Sequence, residues 1–534
     1  MPSRTREFVL DGVASQDLLG LSLAGAFGSR FRVAAGGSRT VRQVWLDTFD
    51  WRLDRAGVTL EYLSGQGRYE LALVTPDGDR IVAGTAKMTF PAPPGSLPEG
   101  QIRERLAPIA GLRALLPMVA STTRRRTMRV LGAEEKIVAR ITVDDALVRN
   151  PDAAALFPLA PRLTVSAVRG YEAQASRIER LLAGVDGISA ATEPAFRAAL
   201  TAAGRKRADD GDVGAGLTPS MPAGAAVASL LLRLLDTMEA NVSGVCRDID
   251  TEFLHDLRVA VRRTRSALKL AGEALPGDLA ARFAPEFRWL GDVTTPTRDL
   301  DVHLLGFSAT AARLVTAAPE DLAPLHTSLV RYRETERRRL VRALRSPRFA
   351  RLTRDWRAAL QEAAALHAPA GARARRGGQA LAQKPIAGPA AMWIRRAYRR
   401  LARRGSAITA ASPEEDLHRV RKLGKELRYL LEFFSALHEP ATHSAAVKEL
   451  KQLQDCLGDI QDGHVQREAI RALADRMVDE RAAPAATLLA MGELAALLDA
   501  SATEARADFS RRFTRFMNGG HTRRLAAAGK VAVA

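Results

Sequence analysis

Leu254-His255-Asp256-Leu257-Arg258-Val259 and Leu417-His418-Arg419-Val420-Arg421-Lys422 open the two stretches that decide how the second half of this chain folds. After the first come Leu290-Gly291-Asp292-Val293 and Arg298-Asp299-Leu300-Asp301-Val302. After the second come Leu457-Gly458-Asp459-Ile460 and Gln461-Asp462-Gly463-His464-Val465. His255 and Asp299 are 44 residues apart, and so are His418 and Asp462. The Leu-Gly-Asp elements are offset by 167 residues against 163 for the histidines, a slip of about one helical turn (~4 residues). Matched spacing of this kind reads as an internal duplication of a helical unit.

Each copy carries a basic stripe at helical spacing. His255, Arg258, Arg262, Arg265 and Lys269 are spaced 3, 4, 3 and 4, which places them on one helix face over roughly 21 Å. Arg263 flanks them, and Leu254, Leu257, Val261 and Leu268 form the apolar side. In the second copy His418, Arg421, Lys425 and Arg428 repeat the pattern, flanked by Lys422 and Tyr429, with Leu417, Val420, Leu427, Leu431 and Phe434 as the apolar side. Like charges at i,i+4 cost a few tenths of a kcal/mol per pair, and the stripes carry almost no acidic relief. Two further basic helices are expected, one with Arg331, Arg338, Arg342 and Arg345, the other with Arg395, Arg399 and Arg403 beside Arg396, Arg400 and Arg404. Basic faces turned inward to a shared groove would form a polyanion channel, where phosphate oxygens meet several guanidinium forks at once.

Working outward, residues 201–222 have the Gly, Pro and charge mixture of a linker, and a second Gly/Pro/Arg-rich break falls at 368–390. Before the linker, alternating or β-branched runs at 41–46, 58–63, 69–74, 137–143 and 162–168 predict strands, and 101–106 and 173–182 predict helices. The expected organisation is an α+β domain over 1–200, a linker over 201–222, an all-helical domain over 223–518 and a flexible tail over 519–534. Within the helical domain, repeat one spans 223–367 and repeat two spans 391–518.

The 534 residues carry a net charge of +19. Residues 1–200 hold 26 basic and 21 acidic side chains, so +14 falls after them. A charge of that size predicts a polyanionic partner. Aromatic residues are only 5% of the chain, and the stripes carry almost none beyond Tyr429 and Tyr398. Binders of single-stranded nucleic acid add aromatic stacking platforms, so the pattern suits phosphates without bases, although a non-specific duplex binder needs no aromatics either. Two cysteines, Cys246 and Cys456, point to a reducing compartment. The N-terminus lacks a signal-peptide core, and the most apolar stretch, 223–235, falls short of a membrane span. A cytoplasmic protein is expected.

These residues resemble the CHAD family of α-helical domains over about 223–518. The resemblance rests on His-x-x-Arg-Val-x-x-Arg-Arg-x-Arg from His255, on His-Arg-Val-Arg-Lys-x-x-Lys-x-Leu-Arg-Tyr from His418, on the Arg-Asp-Leu-Asp-Val run, and on Leu-Gln-Asp-x-Leu-Gly-Asp at 453–459. It implies two four-helix bundles related by pseudo-twofold symmetry, with a basic channel between them, and binding of inorganic polyphosphate with association to polyphosphate granules. Carried over by position, His255, Arg258, Arg262, Arg263, Arg265, Lys269, His418, Arg421, Lys422, Lys425, Arg428 and Tyr429 would line the channel. The further helices would add Arg338, Arg342, Arg345, Arg395, Arg399 and Arg403.

The first domain resembles the CYTH, or triphosphate-tunnel, family, an antiparallel barrel or sheet, through Val44-Trp45-Leu46-Asp47-Thr48-Phe49-Asp50-Trp51-Arg52-Leu53. Active relatives open with Glu-x-Glu-x-Lys, whereas this chain reads Arg6-Glu7-Phe8-Val9-Leu10-Asp11. Glu61-Tyr62 stands where an Arg pair is expected, and Leu163-Thr164-Val165-Ser166-Ala167-Val168 replaces alternating glutamates. Phosphoryl chemistry with a hard divalent ion needs several oxygen ligands, so a degenerate domain without catalytic or metal-binding residues is expected. Arg124, Arg125 and Arg126 read as a solvated charge run.

No cofactor is expected. The other histidines, His303, His326, His367, His438, His443, His464 and His521, show no metal spacing, and Asp299, Asp301, Asp459 and Asp462 read as carboxylates that hold Arg side chains in place. The partner expected is inorganic polyphosphate, with no specific nucleic-acid sequence and no membrane insertion. A metal-dependent tripolyphosphatase in the first domain and non-specific nucleic-acid binding are the rival readings.

Overall fold

The computed structural model describes residues 7–10, 23–207, 213–365, 381–409 and 411–528, which form two units that divide between Asp209 and Asp210. The first unit is built on β1 (Glu7–Leu10), β2 (Arg32–Asp47), β3 (Thr59–Gly65), β4 (Arg68–Val74), β5 (Arg80–Thr85), β6 (Leu116–Leu131), β7 (Ile137–Arg149), β8 (Phe157–Ala167) and β9 (Ile188–Ala190). All pairings are antiparallel, in the order β5-β4-β3-β2-β6-β7-β8-β1-β9. The two ends of this sheet, β5 and β9, share no ladder among the described residues. The expected strands coincide, to within one residue at the ends of two of them, with parts of β2, β3, β4, β7 and β8. β6 was not expected, because Ser121-Thr122-Thr123-Arg124-Arg125-Arg126 has no apolar alternation. It is a strand because the long β2 and β7 pair with it on both sides, so ladder hydrogen bonds override local propensity.

Three helices cover the sheet's apolar surface. α1 (Gln101–Ala110) brings Ile102, Leu106 and Ala110 onto Leu60, Tyr62, Leu71 and Leu73. α2 (Glu172–Leu182) buries Ala175, Ile178 and Leu182 on Phe8, Ile141, Val143 and Leu163. α3 (Ala195–Ala202) packs Phe196 near Trp45 and Trp51. After β2, the buried Asp47 carboxylate accepts from the backbone N–H groups of Thr48, Leu53 and Asp54 at 2.6–2.9 Å. Burial nevertheless pushes its pKa up to about 6.

The second unit is helical: α4 (Ala223–Arg247), α5 (Thr251–Ala271), α6 (Leu279–Leu305), α7 (Ala323–Leu344), α8 (Pro347–Ala365), α9 (Ala387–Ser406), α10 (Glu414–Phe433), α11 (Pro440–Asp479), α12 (Ala485–Gly519) and α13 (His521–Ala528). α4 packs on α5 and α8, α5 on α6, and α6 on α7; further along, α9 packs on α10, α10 on α11, and α11 on α12. The expected apolar stripes form the core, since Leu254, Leu257, Val261 and Leu268 of α5 are buried, as are Leu417, Val420, Leu427 and Leu431 of α10. Both helices start with acidic help. The Asp250 side chain caps α5 by accepting from the N–H groups of Glu252 and Phe253, and Glu414, Glu415 and Asp416 occupy the first turn of α10, where the helix dipole favours anions.

Two boundaries differ from expectation. The segment 201–222 is not one linker: α3 and the residues to 207 fold with the sheet, whereas Val213 and Leu217 are buried in the helical unit, where the Met221 carbonyl accepts from Ile386 N. Residues 208–212 lie outside the described residues. The expected tail is folded as far as Ala528, because α13 packs on α9 and α11 and buries Thr522, Leu525 and Ala526. Residues 529–534 lie outside the described residues, as do most of the second break (366–380), His367 and the motif residues Arg6 and Asp11.

Among the described helices, α12 is the one long and apolar enough to cross a membrane, with a mean hydropathy of 1.4 over 18 residues. In this fold α12 lies along α11 and buries Ala490, Met491, Leu494 and Leu498 in a cluster with Leu325, Leu329 and Met477.

Candidate functional site: the crossing of α5 and α10

The two stripe helices touch each other. Arg263 of α5 donates to Glu432 of α10 at 2.8 Å, and Lys269 of α5 pairs with Glu426 of α10. As residue numbers rise along α5 they fall along α10, so the helices cross in antiparallel sense with their C-terminal halves in contact. His255 and His418 then lie on opposite arms of the crossing, roughly 12–15 Å out along each helix. Arg262 and Arg428 both stand over the ring of Tyr429, at 5.9 and 5.6 Å from its centroid, within cation–π range. Tyr429 itself is only 2% exposed, and it stacks on Phe433. It is thus a buried platform for two guanidiniums and not a wall of an open channel.

The arms are anchored to the neighbouring helices. Arg258 donates to the Thr295 hydroxyl of α6 at 2.6 Å. At the nearby Gly291 of one Leu-Gly-Asp motif, a Cβ would stand 2.7 Å from the Arg265 guanidinium. In the second copy a Cβ on Gly458 would lie 3.9 Å from the guanidinium of Arg421. His255 Nδ1 accepts from Arg298 at 3.0 Å, and His418 Nδ1 bonds the Gln461 side-chain oxygen. Each pair is 43 residues apart, so both histidines meet equivalent positions of their repeats. With Nδ1 filled by a donor, neutral His255 carries its proton on Nε2. Burial and the Arg298 charge hold its pKa below the usual imidazole range.

Several predicted residues stand apart from the crossing. Arg395 donates to the Ala526 carbonyl of α13 at 3.0 Å and so serves as a strut. Arg399 and Arg403 are exposed on α9. Arg338, Arg342 and Arg345 lie on or just past α7, which packs on α6, and none is joined to α5 or α10 among the described residues. Arg338 instead pairs with Glu334 one turn back. Lys422 is exposed and Lys425 half-buried on α10. Asp301 holds an Arg in place, as expected: 1% exposed, it accepts from Arg333 at 2.6 Å, and Arg333 also forks onto Asp248. The side chains of Asp462 and His464 are outside the described residues.

Two carboxylates of the crossing escaped the sequence reading, namely Glu426 and Glu432, and Arg400 entered it only as a flank of its basic helix. Glu426 pairs with Arg400 of α9 at 3.4 Å as well as with Lys269, and Glu432 also lies 3.3 Å from Arg428. The stripes do receive acidic relief, from inside α10. The i,i+4 spacing of Arg428 and Glu432 was the available signal.

Residues 229–471 match the CHAD domain family. The chain carries a CHAD domain. An uncharacterized Mycobacterium tuberculosis protein is 31% identical over 229 residues, 41% of this chain, and the match spans only 39% of that relative's length. Among solved structures, the CHAD domain from the plant Ricinus communis is similar at 25% identity over 56% of this chain and 94% of that one, with a TM-score of 0.47. PptA from Streptomyces chartreusis is similar at 20% identity over 56% of this chain and 100% of that one, with a TM-score of 0.40.

Outside the CHAD domain, the sheet has one polar face, which its register assembles. Directly paired residues share a face, so Gln43 lies with Ser121, Arg125 with Asp144, Asp144 with Arg162, and Glu7 with Thr164. Its charges are spent on one another. Glu7 takes Arg162 at 2.6 Å, Glu61 takes Arg80 at 2.7 Å, and Arg125 forks onto Asp144 at 2.7 and 2.8 Å. The run Arg124-Arg125-Arg126 is therefore not a uniformly solvated one, since Arg125 is committed to an internal ion pair.

Proposed function

We propose that the CHAD domain binds inorganic polyphosphate along the basic strip of α5 and α10, and that this binding brings the protein to polyphosphate granules in the cytoplasm. The carrying observation is the antiparallel crossing, which joins two separately encoded stripes into one set of guanidinium and ammonium groups with a histidine on each arm. The pseudo-twofold pairing of two bundles, expected from the resemblance, fits the equivalent partners of His255 and His418. A phosphate polymer suits the strip better than nucleic acid because Tyr429 is buried beneath Arg262 and Arg428 and cannot stack on a base. Tyr398 is likewise packed against Phe516.

For the sheet unit we propose no catalytic role, and its resemblance to a triphosphate tunnel remains part of this reading. The support is chemical: Glu7, Glu61 and Asp144 already neutralise Arg162, Arg80 and Arg125, whereas a hard divalent ion needs several oxygen ligands of its own. Phosphate release from tripolyphosphate with Mg²⁺ or Mn²⁺ would favour the hydrolase instead.

The test is a salt series with polyphosphates of several lengths and single-stranded DNA as competitor. Polyphosphate should bind with a steep log–log salt slope and resist the DNA at physiological salt. Competition on equal terms would turn the assignment to nucleic acid. Histidine adds a pH signature. Free His255 is held below its usual pKa, and a bound phosphate favours the imidazolium, so affinity should rise as pH falls through the pKa of the imidazole in the complex. The double variant His255→Gln/His418→Gln should flatten the profile between pH 5.5 and 8, measured by titration calorimetry. A profile identical to wild type would remove the histidines from the site.

A further inference from the structure

Two carboxylates sit inside the basic strip, and the polyphosphate reading leaves them unexplained. Glu432 takes Arg263 at 2.8 Å and lies 3.3 Å from Arg428. Glu426 takes Lys269 and lies 3.4 Å from Arg400. Two anions from α10 thus occupy four cations drawn from α5, α9 and α10, in the positions where a phosphate would have to bind. The Glu426 carboxylate is largely withdrawn from water, with its side chain 11% exposed. Arg262, Arg265 and Lys422, by contrast, are exposed.

We infer that Glu426 and Glu432 are built-in competitors for the anion, setting a minimum ligand length and charge density for the strip. This rests on the polyphosphate reading and adds its selectivity. A tethered carboxylate competes at a high effective concentration, so a small phosphate that offers one or two contacts does not displace it. A long chain first engages the exposed cations, and its later phosphates arrive already tethered. They then exchange with the two carboxylates on equal terms, since both provide charge-assisted hydrogen bonds. In the empty protein the same carboxylates hold α5 and α9 against α10, so the strip is kept assembled without being open to every anion.

The experiment compares tripolyphosphate with long-chain polyphosphate on wild type, Glu432→Gln and Glu426→Gln, by titration calorimetry at one salt concentration. Glutamine keeps the shape and removes the charge. Both variants should bind tripolyphosphate about tenfold more tightly, the scale of one close charge pair, and long chains by a smaller factor, so that length discrimination narrows. Glu432 is partly exposed, and its variant decides the matter if Glu426→Gln lowers the thermal midpoint. A Glu432→Gln protein with an unchanged midpoint and unchanged or weaker tripolyphosphate binding would overturn the inference, leaving the carboxylates as struts. Wild type that binds no polyphosphate of any length would overturn the functional reading itself.

Discussion

Reversing both Arg262 and Arg428 to Glu should lower polyphosphate affinity by about two to four decades. Each guanidinium is expected to give one charge-assisted contact of about 1.5–3 kcal/mol, and every 1.4 kcal/mol is about tenfold. The two residues stand over the same tyrosine ring at the crossing, so the substitutions remove cations from the point where the stripes join. The log–log salt slope should fall by about two, one for each lost phosphate contact. Fluorescence anisotropy with end-labelled polyphosphate reads both quantities. Arg428 lies beside Glu432, and its reversal also places like charges one turn apart, so the thermal midpoint must be compared. Arg262 is exposed, and Arg262→Glu alone should cost about half of the loss without touching the fold. Unchanged affinity in both variants would refute the crossing as the binding site.

Replacing Arg333 by Met should produce the largest loss of stability. Its guanidinium takes the buried Asp301 and forks onto Asp248, joining α6 and α7 to the end of α4. Without it, Asp301 is left as a buried, uncompensated carboxylate, a defect of about 3–5 kcal/mol. For a unit of this size the midpoint should fall by roughly 5–10 °C, read by calorimetry. The deficit should depend on pH. Burial already raises the Asp301 pKa, and loss of Arg333 raises it further. The folded variant then binds a proton that the unfolded chain releases, so the variant's stability falls as pH rises above about 4. Lowering the pH toward 4 should therefore shrink the gap to wild type. A gap that is constant with pH would mean that packing, not the charge, is what Arg333 supplies.

Much of the helical unit was legible because helical spacing is a local property. The stripe positions of α5 and α10, their apolar sides and the repeat offset all survive in the structure, since a 3.6-residue period depends only on nearby neighbours. The expectation that Asp301 holds an arginine also survives, although nothing local named Arg333 as its partner. The first unit was less legible. The polar β6 became a strand because it pairs with β2, which ends far back at Asp47, as well as with β7, which follows a short turn from Ile137. Its polar face exists only through cross-strand register, which pairs Arg125 with Asp144 and Glu7 with Thr164. The folded part of the tail was missed for a similar reason, as α13 buries its apolar residues against α9 and α11 and not within itself.

The sequence by itself determined which cations share a helix face, that two stretches repeat the same His-headed spacing, and that most of the +19 charge lies after residue 200. It did so because charge and period are carried by the chain in any arrangement. Only the tertiary structure decided which faces meet. It crossed α5 with α10, turned Tyr429 into a buried support, sent Arg395 to α13, and set Glu426 and Glu432 against the cations they neutralise. Most of those outcomes depend on packing between different helices, 169 residues apart for Arg263 and Glu432 and 131 for Arg395 and Ala526, where shape and burial select the partners.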